Sequence, residues 1–150
     1  MSLTGALGGI YMEEFHKGQV KETKGQTKWL FSKLSVKQQA KVMELAKQMN
    51  VNTDFSLHVL SKVKQGQLEF DTVLLESMLG GNYSVIELNK TGRFTRVLLR
   101  SIECTKHQIG NAMVYVNLCV VYQPHTNTIV TMYYNDISDT HISLDMKRYK

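Results

Sequence analysis

Cysteine and proline are scarce in this 150-residue chain: two cysteines, Cys104 and Cys119, and one proline, Pro124. Two cysteines make no disulfide framework in a domain this long, and their spacing is not that of a metal pair. Both fall in strand-like sequence, where thiols act as small buried hydrophobes, so they are expected to be reduced core residues. Long apolar runs are absent as well. None approaches the roughly 18 residues a membrane span needs, so no membrane association is expected. The stretch "MSLTGALGGIYMEEFHKG" lacks a basic leader region and does not read as a secretory signal. A cytoplasmic setting suits such a chain. Missing too are a glycine-rich phosphate loop ending in Lys-Ser/Thr, a dinucleotide fingerprint and a nucleophile elbow. Neither cysteine has an obvious base beside it, and no cofactor is expected.

What the chain does have is positive charge, +5 in all. Residues 1–50 carry eight lysines against four acids. Lys90, Arg93, Arg96, Arg100 and Lys106 then lie on or next to strand-like segments. A polyanionic or acidic partner fits this balance, and so does a merely solvated lysine-rich surface.

The pattern is helical first and strand-like after Gly80-Gly81. Ser35 and Gln38 form a capping-box signature before Val42, Leu45, Ala46 and Met49, predicting a helix over about 36–49. Thr53 or Asp54 is positioned to cap a second helix, "FSLHVLSKVKQ", ending at Gly66. Asp71 caps a third in "FDTVLLESML". Four strands follow: "YSVIEL" up to a turn at "NKTG", "FTRVLLRSI", "AMVYVNLCVVYQ" and "TIVTMYY", with "PHTN" turning between the last two. The fold class is therefore α+β, with N-terminal helices packed on one face of a mainly antiparallel sheet of about four strands. Residues 1–50 read as a basic helical extension with a partly flexible start, and 51–150 as the α+β domain, in one compact unit.

Candidate functional residues emerge from alternation. In the second helix Phe55, Leu57, Val59, Leu60 and Val63 form an apolar stripe, and His58 and Lys62 sit together at its edge. Arg96, Leu98 and Arg100 share one strand face, opposite Val97 and Leu99. Two guanidiniums there suit a phosphate, or else bridge Glu87 or Glu103. In the last strand Ile129, Thr131 and Tyr133 are expected on one face and Val130, Met132 and Tyr134 on the other. Asn135, Asp136, Asp139 and His141 follow. "DISDTH" has no paired-histidine spacing, so no metal site is expected. His, Lys, Arg, Thr and Tyr on a basic scaffold suit metal-independent phosphodiester cleavage.

Taken in order, "FSLHVLSKVKQGQLEFDTVLLESM", "YSVIELN", "RVLLRS", "VYVNLCVVY" and "TIVTMYYND" resemble the barnase, EndoU, colicin and RelE-like group of small ribonuclease toxins, especially those of prophages and polymorphic toxins. The resemblance spans about residues 53–149. That group has a helix with a histidine and a basic residue a turn later, then a four-stranded sheet. An arginine lies on its second strand and a Thr-x-Tyr element on its last. Lys62 stands where an arginine is common, a point charge in place of a fork. The resemblance implies a metal-independent endoribonuclease leaving 2′,3′-cyclic phosphate ends. His58, Arg100, Thr131 and Tyr133 would be catalytic; Lys62, Arg96, Asn135 and His141 would bind RNA. The hydroxyls of the last strand are then expected on the helix-facing side, in a cleft with His58. An acidic antitoxin or immunity protein is the implied protein partner. The alternative is a non-catalytic RNA-binding or protein-interaction module of a phage or plasmid, with bases stacked on Tyr115, Tyr122 and Tyr133.

Overall fold

The structure, a computed structural model, describes residues 26–64 and 71–138. They form three helices and a seven-stranded, mostly antiparallel sheet. The strands are β1 (Gln26–Leu30), β2 (Asp54–Phe55), β3 (Tyr83–Thr91), β4 (Phe94–Ser101), β5 (Thr105–Ile109), β6 (Ala112–Gln123) and β7 (Thr128–Asp136). The helices are α1 (Val36–Ala46), α2 (Leu57–Lys64) and α3 (Thr72–Leu79). Spatial order is β1-β3-β4-β6-β7-β2, with β5 also paired to β6; only β2–β7 is parallel. The α+β class expected from sequence is what is found, with more strands than expected. The additional strands are β1, β2 and β5. β1 lies in the lysine-rich stretch, β5 is mostly polar, and β2 has two residues. Each is held by neighbours distant in sequence or by a long partner strand, so no local pattern marks it.

Local chemistry accounts for the helix starts. Ser35 Oγ accepts from Gln38 N at 3.2 Å while Gln38 Oε1 accepts from Ser35 N at 2.9 Å, the reciprocal box that opens α1. Asp71 Oδ1 accepts from Leu74 N at 2.9 Å to cap α3. At α2 the cap is Ser56, in place of the expected Thr53 or Asp54. Its Oγ accepts from Val59 N at 3.2 Å and donates to the Val130 carbonyl at 3.0 Å, tying the helix start to β7. Thr53 Oγ1 instead donates to Asn127 Oδ1 at 2.8 Å. The expected end of this helix, near Gly66, lies outside the described residues.

Two of the hairpins turn on glycine. β3 continues through Lys90 and Thr91, and the turn is Gly92-Arg93, later than the sequence suggested; Gly110-Asn111 joins β5 to β6. Gly92 and Gly110 have φ of 57° and 61°, at the first position of a two-residue loop. That position suits glycine because a Cβ disfavours positive φ.

One hydrophobic cluster unites the helices and the sheet. Val42, Leu45, Ala46 and Met49 come from and just after α1, Val59 from α2, and Leu74, Leu75 and Met78 from α3. Trp29, Leu88, Val97, Leu99, Val120, Tyr122, Ile129 and Met132 are among the strand contributors. By register these strand residues all share one face, called here the core face. Trp29 and the α1 residues belong to this core together with residues after position 50. The start expected to be flexible lies in residues 1–25, outside the described residues.

Two bulges set the faces. On β3 the register shifts between Val85 and Glu87; on β7, Val121 pairs Thr131 but Tyr122 pairs Ile129, leaving Val130 unpaired between them. A bulge residue breaks strict alternation. Ile129 therefore lies on the core face with Met132 and Tyr134, while Thr131 and Tyr133 lie on the opposite, outer face. The expected grouping of Ile129 with Thr131 and Tyr133 is corrected accordingly. Neither cysteine is in a disulfide; Cys119 is buried, but Cys104 is exposed between β4 and β5 rather than in the core.

Candidate functional site

The outer face collects most of the polar candidates. Arg96 and Arg100 lie there on β4, Asn117 and Gln123 on β6, and Thr131, Tyr133 and Asn135 on β7. One row across the sheet runs Arg100, Cys119, Tyr133, and its neighbour pairs Asn117 with Asn135. Strands sit about 4.8 Å apart, so Arg100 and Tyr133 have backbones roughly 10 Å apart, within reach of an extended arginine.

Each arginine is held by an amide. Arg96 Nε donates to Gln123 Oε1 at 2.9 Å, and Gln123 Nε2 donates to Thr126 Oγ1 at 2.9 Å. Arg100 Nε donates to Asn117 Oδ1 at 2.9 Å, and Asn117 Nδ2 donates to the carbonyls of Ser101 and Glu103 at 3.0 and 3.2 Å. In both cases the amide nitrogen is committed elsewhere, which turns its oxygen toward the guanidinium. Arg100 also donates through Nη2 to the Asp136 carbonyl at 3.0 Å. Gln123 and Asn117 are themselves buried, at 6% and 8% exposure. A neutral acceptor orients a guanidinium without cancelling its charge. Partial burial lowers the Arg96 pKa, because desolvation penalises the charged form.

The acids expected as alternative partners are engaged by other groups. Glu87, 2% exposed on the outer face, pairs with Lys28 at 3.6 Å. Glu103 accepts from Asn82 Nδ2 at 3.3 Å. Asp136 titrates below its ordinary range because Ser138 donates to Oδ1 from its backbone N at 2.9 Å and its hydroxyl at 2.8 Å. Desolvation raises its pKa by less than the serine lowers it, and the charge of Arg100 adds a still smaller lowering. Asn135 Nδ2, buried on the same face, finds no hydrogen-bond partner among the described residues.

His58 and Lys62 are elsewhere. They ride on α2, whose Val59 is fully buried in the core-face cluster, and the His58 side chain is exposed. Thr131 and Tyr133 lie on the face away from that cluster, so the expected common cleft with His58 does not form. The sheet lies between α2, on the core face, and the arginines on the outer face. The apolar stripe of α2 is also narrower than expected, with Leu57 and Leu60 at 85% and 50% exposure. Tyr122, one of the aromatics considered for stacking, is wholly buried and donates its hydroxyl to Asn127 Oδ1 at 2.7 Å. Its burial pushes its pKa up. His141 lies outside the described residues. Asn117 and Gln123, the amides that aim both arginines, were missed. Their only signal in sequence is an amide at alternate positions of an otherwise apolar strand.

Among the described residues no group of three or more His, Cys, Asp or Glu is placed to hold a metal ion. No described helix is long and apolar enough to cross a membrane. No family model, curated protein or solved structure matches the chain.

Proposed function

We propose that this protein acts on RNA through the outer face of its sheet, with the three helices gathered behind on the core face. The observation that carries this reading is that Arg96 and Arg100 project from one face and are aimed by neutral amides, Gln123 and Asn117. Two charged forks held this way suit two phosphates of a single chain. Thr131, Tyr133 and Asn135 supply hydroxyls and an amide alongside. Their activity is proposed to be metal-independent endoribonuclease cleavage through a 2′,3′-cyclic phosphate, as in the toxin group the sequence resembles, with an acidic antitoxin or immunity protein as the natural cover for the basic face. In that reaction Arg100 would stabilise charge on the phosphoryl oxygens while Arg96 binds a flanking phosphate, and Tyr133 is the hydroxyl in the Arg100 row. His58, on the core-face side, is withdrawn as their partner.

A second reading, a non-catalytic RNA-binding module, is favoured by that same separation of His58 from the arginines. Incubation with tRNA and rRNA in EDTA distinguishes the two. Cleavage that Arg100→Ala and Tyr133→Phe abolish, and His58→Ala leaves intact, supports the enzyme. Salt-sensitive binding without cleavage supports the module. If the protein neither cleaves nor binds RNA, both readings are refuted.

A further inference from the structure

Beyond Arg100 the outer face continues onto the β5–β6 hairpin, and its character changes. Met113 and Tyr115 lie on the same face of β6 as Asn117, at 60% and 49% exposure. Ile137, 49% exposed, is bound by its N–H to the Tyr115 carbonyl at 3.0 Å, which places it beside Tyr115 at the end of β7. Lys106 pairs across from Tyr115, and its ammonium lies 5.4 Å from the ring centroid. Tyr115 and Asn117 are two residues apart on one strand, about 6.7 Å. Arg100 reaches past Asn117 to the Asp136 carbonyl, toward this end of the sheet.

An exposed aromatic ring under one ammonium, two residues along β6 from the amide that holds a guanidinium, has the parts of a single-strand binding step. The ring offers a face to an unstacked base, and the cations meet the flanking phosphates. An apolar contact with a protein would use Met113 and Ile137 equally well, but it gives the charges at Lys106 and Arg100 no role. The net charge of +5 likewise favours a polyanion.

We infer that Tyr115, backed by Lys106, is a nucleobase-stacking platform adjoining the Arg100 phosphate site, and that it selects unpaired RNA over duplex. This rests on the RNA-directed reading above. A duplex keeps its bases stacked inside, so only a single strand can lay one on Tyr115.

The test is fluorescence anisotropy of the full chain with a short labelled 2′-O-methyl oligouridine, which has no free 2′-hydroxyl and so survives any cleavage activity. A 2′-O-methyl hairpin duplex is the comparison. Tyr115→Ala should weaken single-strand binding by between roughly fivefold and a hundredfold, the range of one lost base–aromatic stack. Its salt slope should be unchanged and its duplex binding nearly so. Tyr115→Trp should bind at least as tightly as wild type. Arg100→Ala should weaken binding to both probes and flatten the salt slope. If wild type binds and Arg100→Ala weakens it, but Tyr115→Ala changes single-strand affinity less than twofold, the stacking platform is refuted and the phosphate face stands. An equal loss on both probes for Tyr115→Ala refutes it likewise. If wild type binds neither probe, the RNA-directed reading falls and this inference with it; loss of self-association in Tyr115→Ala would then assign the patch to a second copy of the chain.

Discussion

Asn117→Ala should destabilise the protein by about 2–3 kcal/mol, although Asn117 lies outside the helix-packed core. The ladder between β4 and β6 ends at Arg100 opposite Cys119, and that between β5 and β6 begins at Thr105 opposite Val116. Residues 101–104 thus bulge away opposite only 117 and 118, and their backbone groups need other partners. Asn117 Nδ2 serves the carbonyls of Ser101 and Glu103, while Ser101 Oγ accepts from Leu118 N at 2.9 Å and donates to the Glu103 carbonyl at 2.6 Å. Removing the amide leaves the Ser101 carbonyl, in a residue 4% exposed, without that donor, at a cost of about 1–2 kcal/mol. The Glu103 carbonyl keeps its serine, and Glu103 is exposed, so its loss is small. Arg100 loses its Nε acceptor, adding about 1 kcal/mol after discounting for its partial exposure. In a domain this size the total lowers the melting temperature by roughly 5–10 °C. Asn117→Asp is the decisive companion. It offers Arg100 a carboxylate but faces two carbonyls with no donor, so at neutral pH it should recover little of the stability lost in Asn117→Ala. Urea unfolding checks both. An Asn117→Ala protein within 0.5 kcal/mol of wild type, or an Asn117→Asp protein as stable as wild type, would refute this account of the bulge.

Four further outcomes are expected. Ser35→Ala removes one half of the capping box and should cost about 1 kcal/mol, measurable in the urea midpoint. Leu99→Ala, at a fully buried position of the core face, should cost about 2–5 kcal/mol and either unfold the protein or lower its melting temperature steeply. Asp136 has a lowered folded pKa, so its bonds from Ser138 contribute stability above the ordinary aspartate value of 3.8 that is lost as pH falls through the lower folded value. Acid unfolding of Asp136→Asn should accordingly be less steep in that window; identical pH profiles would contradict the assignment. His58→Ala, at an exposed helix position, should change stability by no more than about 0.5 kcal/mol and leave RNA affinity unchanged, since the outer face lies across the sheet; lost affinity with intact folding would reopen a cleft shared by His58 and the arginines.

How much was legible in advance depended on the range of the interaction concerned. The Ser35/Gln38 box, the Asp71 cap and the span of β6 are written in neighbouring residues, and each is found where the pattern put it. The shared face of Arg96 and Arg100 was equally readable, because β4 runs without a bulge and strict alternation holds. β7 was misread because a single unpaired residue, Val130, moves Ile129 to the other face. Val130 is a β-branched residue among others, and nothing local marks it as the bulge. Its position is set by pairing with β6 and by Ser56, which grips its carbonyl from far away in the chain.

The sequence by itself determined the class of the fold, the three helices with two of their caps, and a strand face bearing two arginines, because these follow from periods of 3.6 and 2 and from side chains reaching their own backbone. Only the tertiary structure decided that β1 joins the sheet, that amides from β6 aim the guanidiniums, and that His58 stands on the other side. Which face a helix covers, and which strand borders which, is settled by burial of apolar surface between segments far apart in the chain, and a local pattern carries no record of that choice.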